Sequence, residues 1–93
     1  MIELHQAEWC PYSRQVRSRL TILGVDFVAR QVAADADRRG ELEERTGSRA
    51  IPVLVLDDAT VISGTDPILA YLDTTYSETA ESKPHRLKQR EHQ

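Results

Sequence analysis

The sequence contains a single cysteine, Cys10, and this scarcity excludes two kinds of site. One thiol cannot close a disulfide within the chain, and it cannot build a zinc site from several thiolates. We therefore predict that the chain holds no metal ion. Any thiol–disulfide chemistry of the chain must use Cys10 alone.

The chain also lacks an excess of basic residues and a long apolar run. The formal net charge of −3 argues against a nucleic-acid partner, because phosphate binding needs a basic face. No apolar run approaches the roughly 20 residues of a membrane span, and Glu3 and His5 interrupt the apolar segment where a signal peptide would have its core. We expect one small domain that is soluble, cytoplasmic and monomeric, with neither a nucleic acid nor a membrane as partner.

Apolar periodicity predicts seven elements in the order strand, helix, strand, helix, strand, strand, helix. The predicted strands cover 2–6, 27–32, 53–56 and 60–62, and the predicted helices cover 11–23, 35–46 and a stretch capped by Thr65 or Asp66. A strand, a helix and a strand within about thirty residues form a βαβ unit, so the first two strands should be parallel.

The C-terminal stretch 77–93 differs in composition from the rest of the chain. Leu87 is its only large apolar residue, so the stretch cannot bury enough surface to offset the entropy of ordering it. We predict a folded domain over 1–76 and a disordered tail, or at most a short frayed helix, over 77–93.

Cys10 lies where the first strand ends and the first helix begins. Unpaired N–H groups and the positive end of the helix dipole favour the reactive thiolate there. A hydrogen bond from Ser13 would lower the thiol pKa below its free value of about 8.5. The alternatives are that Cys10 is a small buried hydrophobe and that Ser13 is an ordinary serine of the first helical turn.

Three short motifs resemble those of the glutaredoxins. Cys10-Pro11-Tyr12-Ser13 resembles their active-site motif, with Ser13 in place of the usual second cysteine, and Ile51-Pro52 resembles their Val-Pro, whose proline is cis. Gly64-Thr65-Asp66 lies where glutaredoxins have Gly-Cys-Asp. Over 1–76 the chain is similar to glutaredoxins and to the N-terminal domain of glutathione transferases. The resemblance implies a thioredoxin-like α/β fold, with a four-stranded mixed sheet and helices on both faces.

The resemblance also implies roles for individual residues. Cys10 would be the nucleophile, Ser13 would support its thiolate, and glutathione or another low-molecular-weight thiol would be the co-substrate. The implied glutathione-binding residues are Tyr12, Arg49, Ile51, Pro52, Gly64, Thr65 and Asp66. The backbone of Ile51 would pair with the cysteinyl group of glutathione, and Thr65 and Asp66 would hold its γ-glutamyl end, unless these two residues are only helix caps.

The chain departs from the glutaredoxin pattern at Ala7, where those proteins usually carry a lysine. Arg49 is our candidate to replace that lysine at the glycine carboxylate, and Arg14 is our candidate to support the thiolate. The simpler interpretation of the basic residues around Arg14, Arg17 and Arg19 is a solvated helix face.

Because a second cysteine is missing, we predict a monothiol thiol–disulfide oxidoreductase that acts on glutathionylated proteins or small disulfides. An alternative is a module that binds glutathione or a partner peptide without turnover. A [2Fe–2S] carrier is disfavoured, because the related monothiol proteins usually carry Cys-Gly-Phe-Ser, and Pro11 and Tyr12 make this loop stiffer and bulkier.

Overall fold

The computed structural model describes residues 1–92 and contains one sheet flanked by helices. The strands are β1 (Ile2–Gln6), β2 (Phe27–Gln31), β3 (Val53–Val55) and β4 (Val61–Ser63), and the helices are α1 (Pro11–Ile22), α2 (Gly40–Thr46), α3 (Thr65–Thr75) and α4 (Ser82–Glu91). The order of strands and helices confirms the predicted α/β fold. Within residues 1–92, no helix is both long and apolar enough to cross a bilayer.

The strand order β2-β1-β3-β4 places β1 in the interior of the sheet. β2 runs parallel to β1, as predicted, and β3 and β4 are each antiparallel to their neighbours. His5 lies opposite Val53, and Val53 lies opposite Ser63. The segments that follow β1, precede β3 and follow β4 therefore meet at one end of the sheet, which we call the Cys10 end.

The two faces of the sheet differ in how much apolar surface they bury. Ile2 and Leu4 of β1 are buried against α1 and α3, in a core cluster that also contains Val16, Leu20, Leu23, Leu54, Ile68 and Leu72. Alternation along the strand sends Glu3 and His5 to the opposite face. That face is covered by α2, whose only buried residue is Leu42. Helices therefore lie on both faces, but most of the apolar burial is on one of them.

The helix predicted over 35–46 is shorter in the structure. A 3-10 turn covers Ala36–Arg38, and α2 begins only at Gly40. Glycine weakens a helix by about 1 kcal/mol relative to alanine. In addition, the buried guanidinium of Arg39 donates to the carbonyl oxygens of Ala33, Ala34 and Arg49, at 2.8, 3.0 and 2.9 Å. These bonds hold the chain in the turn.

The start of α3 also differs from the prediction. Gly64 is the N-cap residue, α3 begins at Thr65, and no side chain caps the helix. The predicted capping by Thr65 or Asp66 is therefore wrong. Gly64 has φ +95° and ψ 153°, a region that essentially only glycine occupies. The chain uses this residue to turn from β4 directly into α3.

Part of the C-terminal stretch is helical, where we predicted a disordered tail or at most a short frayed helix. Helix α4 covers Ser82–Glu91 and packs against α1. The Ser82 hydroxyl is buried and donates to the carbonyl oxygen of Ile22, the last residue of α1, at 2.8 Å. It also accepts a hydrogen bond from the Thr79 N–H at 3.0 Å. The sequence prediction considered apolar residues only, and this helix is anchored by a polar group.

Replacing Ser82 with alanine should release α4. Loss of its hydroxyl leaves the Ile22 carbonyl without that donor, at a cost of about 1–2 kcal/mol. We expect amide exchange in α4 to accelerate by about tenfold, with little change in the strands, as measured by hydrogen–deuterium exchange. Ser77→Ala, at an exposed position, is the control. Unchanged exchange in α4 of Ser82→Ala would contradict the anchoring role.

Candidate functional site

Cys10 is the N-cap residue of α1, directly after the loop that leaves β1. Its N–H donates to the Ala7 carbonyl at 3.1 Å, and its carbonyl accepts from the Arg14 N–H at 3.0 Å. The thiol is nearly covered, with the residue 6% exposed, whereas its neighbours Trp9 and Tyr12 are 65% and 58% exposed. Cys10 thus lies in a turn held by backbone hydrogen bonds, and two aromatic residues close to it in sequence are exposed.

The surroundings of Cys10 favour its thiolate. Burial raises the pKa of the Cys10 thiol, but hydrogen bonds from the Ser13 N–H, the Ser13 hydroxyl and the Tyr12 N–H act in the opposite direction, as does the positive charge of Arg17. Together these contacts hold the pKa below its ordinary value. The cation that lowers this pKa is Arg17 rather than Arg14, and the role of Ser13 in catalysis stays a prediction.

Ser13 connects the thiol to the loop before it. Its side chain is completely buried, and its hydroxyl oxygen accepts a hydrogen bond from the Ala7 N–H at 3.3 Å. Accepting from Ala7 leaves the hydroxyl proton free to be donated to the sulfur. Ser13 therefore holds the loop before Cys10 through Ala7, while its role toward the thiolate stays a prediction.

Arg17 has a larger structural role than the sequence suggested. Its guanidinium donates to the Gln6 side chain and to the carbonyl oxygens of Ala7 and Glu8, the last two at 3.3 Å, and pairs with the Glu8 carboxylate at 3.4 Å. The sequence signal was its helical spacing, since Arg17 lies four residues after Ser13 and faces the same side of α1. Arg17 therefore holds the loop that presents Cys10.

Ser13→Ala should raise the pKa of the Cys10 thiol. A hydrogen bond to a charged group contributes about 1.5–3 kcal/mol, so the midpoint of the alkylation pH profile should rise by about one pH unit. Near pH 6, the iodoacetamide rate should fall about tenfold. Ser18→Ala, on the same helix with a partly exposed side chain, is the control. Equal profiles for both variants would contradict the role of Ser13.

Two further motifs meet Cys10 at the same end of the sheet. The Ile51–Pro52 peptide is cis, as the resemblance implied. Pro52 comes just before β3, and its carbonyl accepts from the Gly64 N–H at 3.1 Å, which continues the β3–β4 pairing by one step. Because β3 lies next to β1, Ile51, Pro52 and Gly64 share the Cys10 end of the sheet with the thiol.

The first turn of α3 begins at this end. Thr65 is half-buried and Asp66 is exposed, directly after the Gly64 turn. The unpaired N–H groups and the positive end of the helix dipole at such a terminus attract a carboxylate. Binding of a ligand by Thr65 and Asp66 stays a prediction.

A family comparison agrees with this arrangement. Residues 4–80 match the family described as glutathione S-transferase, N-terminal domain. The chain belongs to this family. The match begins within β1 and ends beyond α3, and so contains all three motifs at the Cys10 end.

A curated relative connects this glutathione S-transferase N-terminal domain with the glutaredoxins. This chain is 30% identical to glutaredoxin 3 of Escherichia coli K12 over 69 residues, which are 74% of this chain and 82% of that protein. Membership of the transferase family together with this relation supports a glutathione-related thiol role in general.

Solved structures share the fold of this N-terminal domain. FzlA from C. crescentus is 32% identical with a TM-score of 0.75, over 84% of this chain and 35% of that one. A glutathione S-transferase from Methylobacillus flagellatus KT, solved with glutathione bound, is 26% identical with a TM-score of 0.68, over 81% of this chain and 37% of that one. The chain thus spans about a third of the length of these structures.

Arg49 is occupied by contacts within this domain. Its guanidinium pairs with Glu43 of α2 at 2.6 Å and donates to the carbonyl oxygens of Ala36 and Asp37 at 3.3 and 3.2 Å. Its carbonyl accepts from Arg39, an arginine that the sequence analysis overlooked. Together Arg39 and Arg49 fix the loop that leads to Ile51, while ligand binding by Arg49 stays a prediction.

Proposed function

We propose that this domain is a monothiol, glutathione-dependent thiol–disulfide oxidoreductase that acts on glutathionylated proteins or small disulfides. The observation that carries this proposal is the position of Cys10, the single thiol of the chain, at the N-cap of α1 and at the end of the sheet that it shares with the cis Ile51–Pro52 peptide. Hydrogen bonding by Ser13 and Tyr12 and the charge of Arg17 lower the pKa of this thiol against the effect of burial. The thiolate is the attacking form in disulfide exchange. No second thiol is available in the chain to complete the reaction.

The reaction has two exchange steps. The Cys10 thiolate attacks the glutathione sulfur of a glutathionylated substrate, so that a Cys10–glutathione disulfide forms, the substrate sulfur–sulfur bond breaks, and the substrate thiolate leaves and takes up a proton. A second glutathione, as thiolate, then attacks the glutathione sulfur bound to Cys10. Oxidised glutathione and the Cys10 thiolate are released, so the substrate thiol is restored and one free glutathione is oxidised, joined to the glutathione that the substrate carried.

Open backbone groups beside the thiol support glutathione as the co-substrate. Among residues 1–92, the N–H and carbonyl of Ile51 make no hydrogen bond. An extended ligand could therefore pair with Ile51 as an added strand, with Pro52 closing one side of the groove and Tyr12 flanking it. The α-carboxylate of the ligand would lie at the first turn of α3, near Thr65, and its ammonium group would lie near Asp66.

The test combines mass spectrometry with turnover by the wild-type chain. Incubation with oxidised glutathione should add one glutathione to Cys10, and reduced glutathione should remove it. The chain should then reduce a glutathionylated peptide catalytically, in an assay that follows the oxidised glutathione produced. Glutathione binding without turnover would reject the enzyme and favour the non-catalytic binding module, for which the missing lysine at Ala7 is the supporting feature.

A further inference from the structure

The face of the sheet that carries Glu3 and His5 contains a cavity that the proposed chemistry does not use. It has a volume of about 410 Å³ and lies between β1, β2 and α2, where its lining includes His5, Arg30, Arg38, Arg39, Glu41 and Arg45. None of the residues assigned to the thiol site lines it. The volume falls within the range of about 300–1,000 Å³ that is typical of small-molecule pockets.

The lining carries an excess of positive charge. Arg30 and Arg45 share one carboxylate, because their guanidinium groups lie 3.0 and 3.6 Å from the same oxygen of Glu3. Arg38 has no ion-pair partner among residues 1–92 and is exposed. The lining thus contains four arginines and the carboxylate of Glu41, and with Glu3 counted as well these six residues carry a net charge of +2.

His5 adds a buried polar group that lacks a partner. The residue is 5% exposed, and within residues 1–92 its Nε2 makes no hydrogen bond. The nearest carboxylate oxygen, on Glu3, is 3.7 Å from Nε2, beyond hydrogen-bonding distance. A buried polar atom without a partner costs free energy, and an acceptor bound in this pocket would relieve that cost.

We propose that this pocket binds the phosphate group of a small anionic ligand, at a site separate from Cys10. A phosphate monoester carries a charge of about −1.5 to −2 near neutral pH, which matches the two unbalanced positive charges. Guanidinium groups suit phosphate, because their planar N–H pairs bind two oxygens at once. Arg38 and Arg45 on the α2 side supply the donors, Arg30 lies across from them on β2, and the neutral imidazole of His5 supplies one further N–H.

Arg39 is the fixed part of this pocket. Its donors are already used by the Ala33, Ala34 and Arg49 carbonyls, so it contributes charge and position rather than hydrogen bonds to a ligand. Through Arg49 the same side chain holds the loop before Ile51. Arg39 therefore helps to position both the proposed phosphate site and the thiol site, although no side chain would bind a ligand in both.

The proposal is tested by titrating the full chain with inorganic phosphate and, separately, with a small sugar phosphate. The ionic strength is kept constant, and binding is followed by amide NMR. We expect saturable one-to-one binding with a Kd of about 1 mM or tighter, with shifts in β1, β2 and α2. Equal affinity for both probes would mean that the anion alone is recognised, and tighter binding of the sugar phosphate would mean that its organic part also makes contacts.

The variant pair Arg38→Gln/Arg45→Gln should weaken binding by tenfold or more. Lys83→Gln/Arg90→Gln on α4 removes the same net charge outside the pocket and should leave the affinity unchanged. Loss of affinity in both pairs, or in neither, would overturn the site, as would binding that does not saturate. The imidazole signals of His5 give a second readout.

The direction in which the pKa of His5 should change on phosphate binding follows from its surroundings. Burial is the main cause that lowers the pKa of His5; Arg45 and Arg30 lower it further, and Glu3 partly opposes them. A bound dianion offsets the two arginines, so the pKa of His5 should rise when phosphate is present. Phosphate binding should persist in Cys10→Ser, which makes failure of this site distinguishable from failure of the thiol chemistry.

Discussion

Replacing Cys10 with serine is expected to lower turnover on a glutathionylated peptide by at least about 10³-fold. Serine keeps the size of the side chain but replaces the only sulfur that could form the mixed disulfide. The thiolate favoured by Ser13, Tyr12 and Arg17 is lost, and no other residue can accept the glutathione sulfur. The coupled assay of oxidised glutathione production measures this loss.

Two controls separate chemistry from folding in that variant. The helix content of Cys10→Ser, by circular dichroism, should equal that of the wild type, because the N-cap backbone bonds of residue 10 do not involve the side chain. Calorimetry should show that glutathione still binds, since Ile51, Thr65 and Asp66 are unchanged. Substantial turnover by a folded Cys10→Ser variant would place the nucleophile elsewhere.

Gly64→Ala is expected to destabilise the domain by about 1–3 kcal/mol, the usual cost of holding a residue with a side chain in a sparsely populated backbone region. An added Cβ would lie 3.6 Å from the nearest atom, on Pro67, an ordinary contact, so the cost comes from the backbone angles. Relief of this strain should redirect the first turn of α3 and weaken glutathione binding by about tenfold. Denaturant unfolding and calorimetry measure the two effects.

Gly40→Ala is the matched control for this prediction. Gly40 begins α2 without a positive φ, and nothing lies within 4 Å of an added Cβ. Alanine there should stabilise the domain by about 0.4–1 kcal/mol and leave glutathione affinity unchanged. Opposite signs for the two substitutions support a special role for residue 64, and equal effects would contradict it. Reduced stability with unchanged affinity would limit Gly64 to a structural role.

The sequence allowed most of the fold to be predicted, because its signals were local and apolar. Ile2 and Leu4 alternate as a half-buried strand requires, and the run after Pro52 marks β3. The position of Cys10 at a strand-to-helix junction followed from Pro11 and from the apolar spacing behind it. These patterns arise from burial, and the spacing of apolar residues in a single sequence indicates which positions are buried.

The missed features are polar and depend on partners that are distant in the chain. Ser82 anchors α4 through a carbonyl sixty residues away, and nothing local to Ser82 indicates that bond. Arg17 and Arg39 were missed or undervalued because their main partners are backbone carbonyl oxygens, which every residue has. A guanidinium that organises a loop looks the same in sequence as one that is solvated.

Trp9 gives the candidate site an intrinsic optical reporter. It is the only tryptophan in the chain, it precedes Cys10 directly, and most of its indole surface is open to water. A molecule that covers the groove beside the thiol would displace that water and move the emission to shorter wavelength, without background from a second indole. Occupancy, mixed-disulfide formation and release could each be followed in real time on the unlabelled wild-type chain.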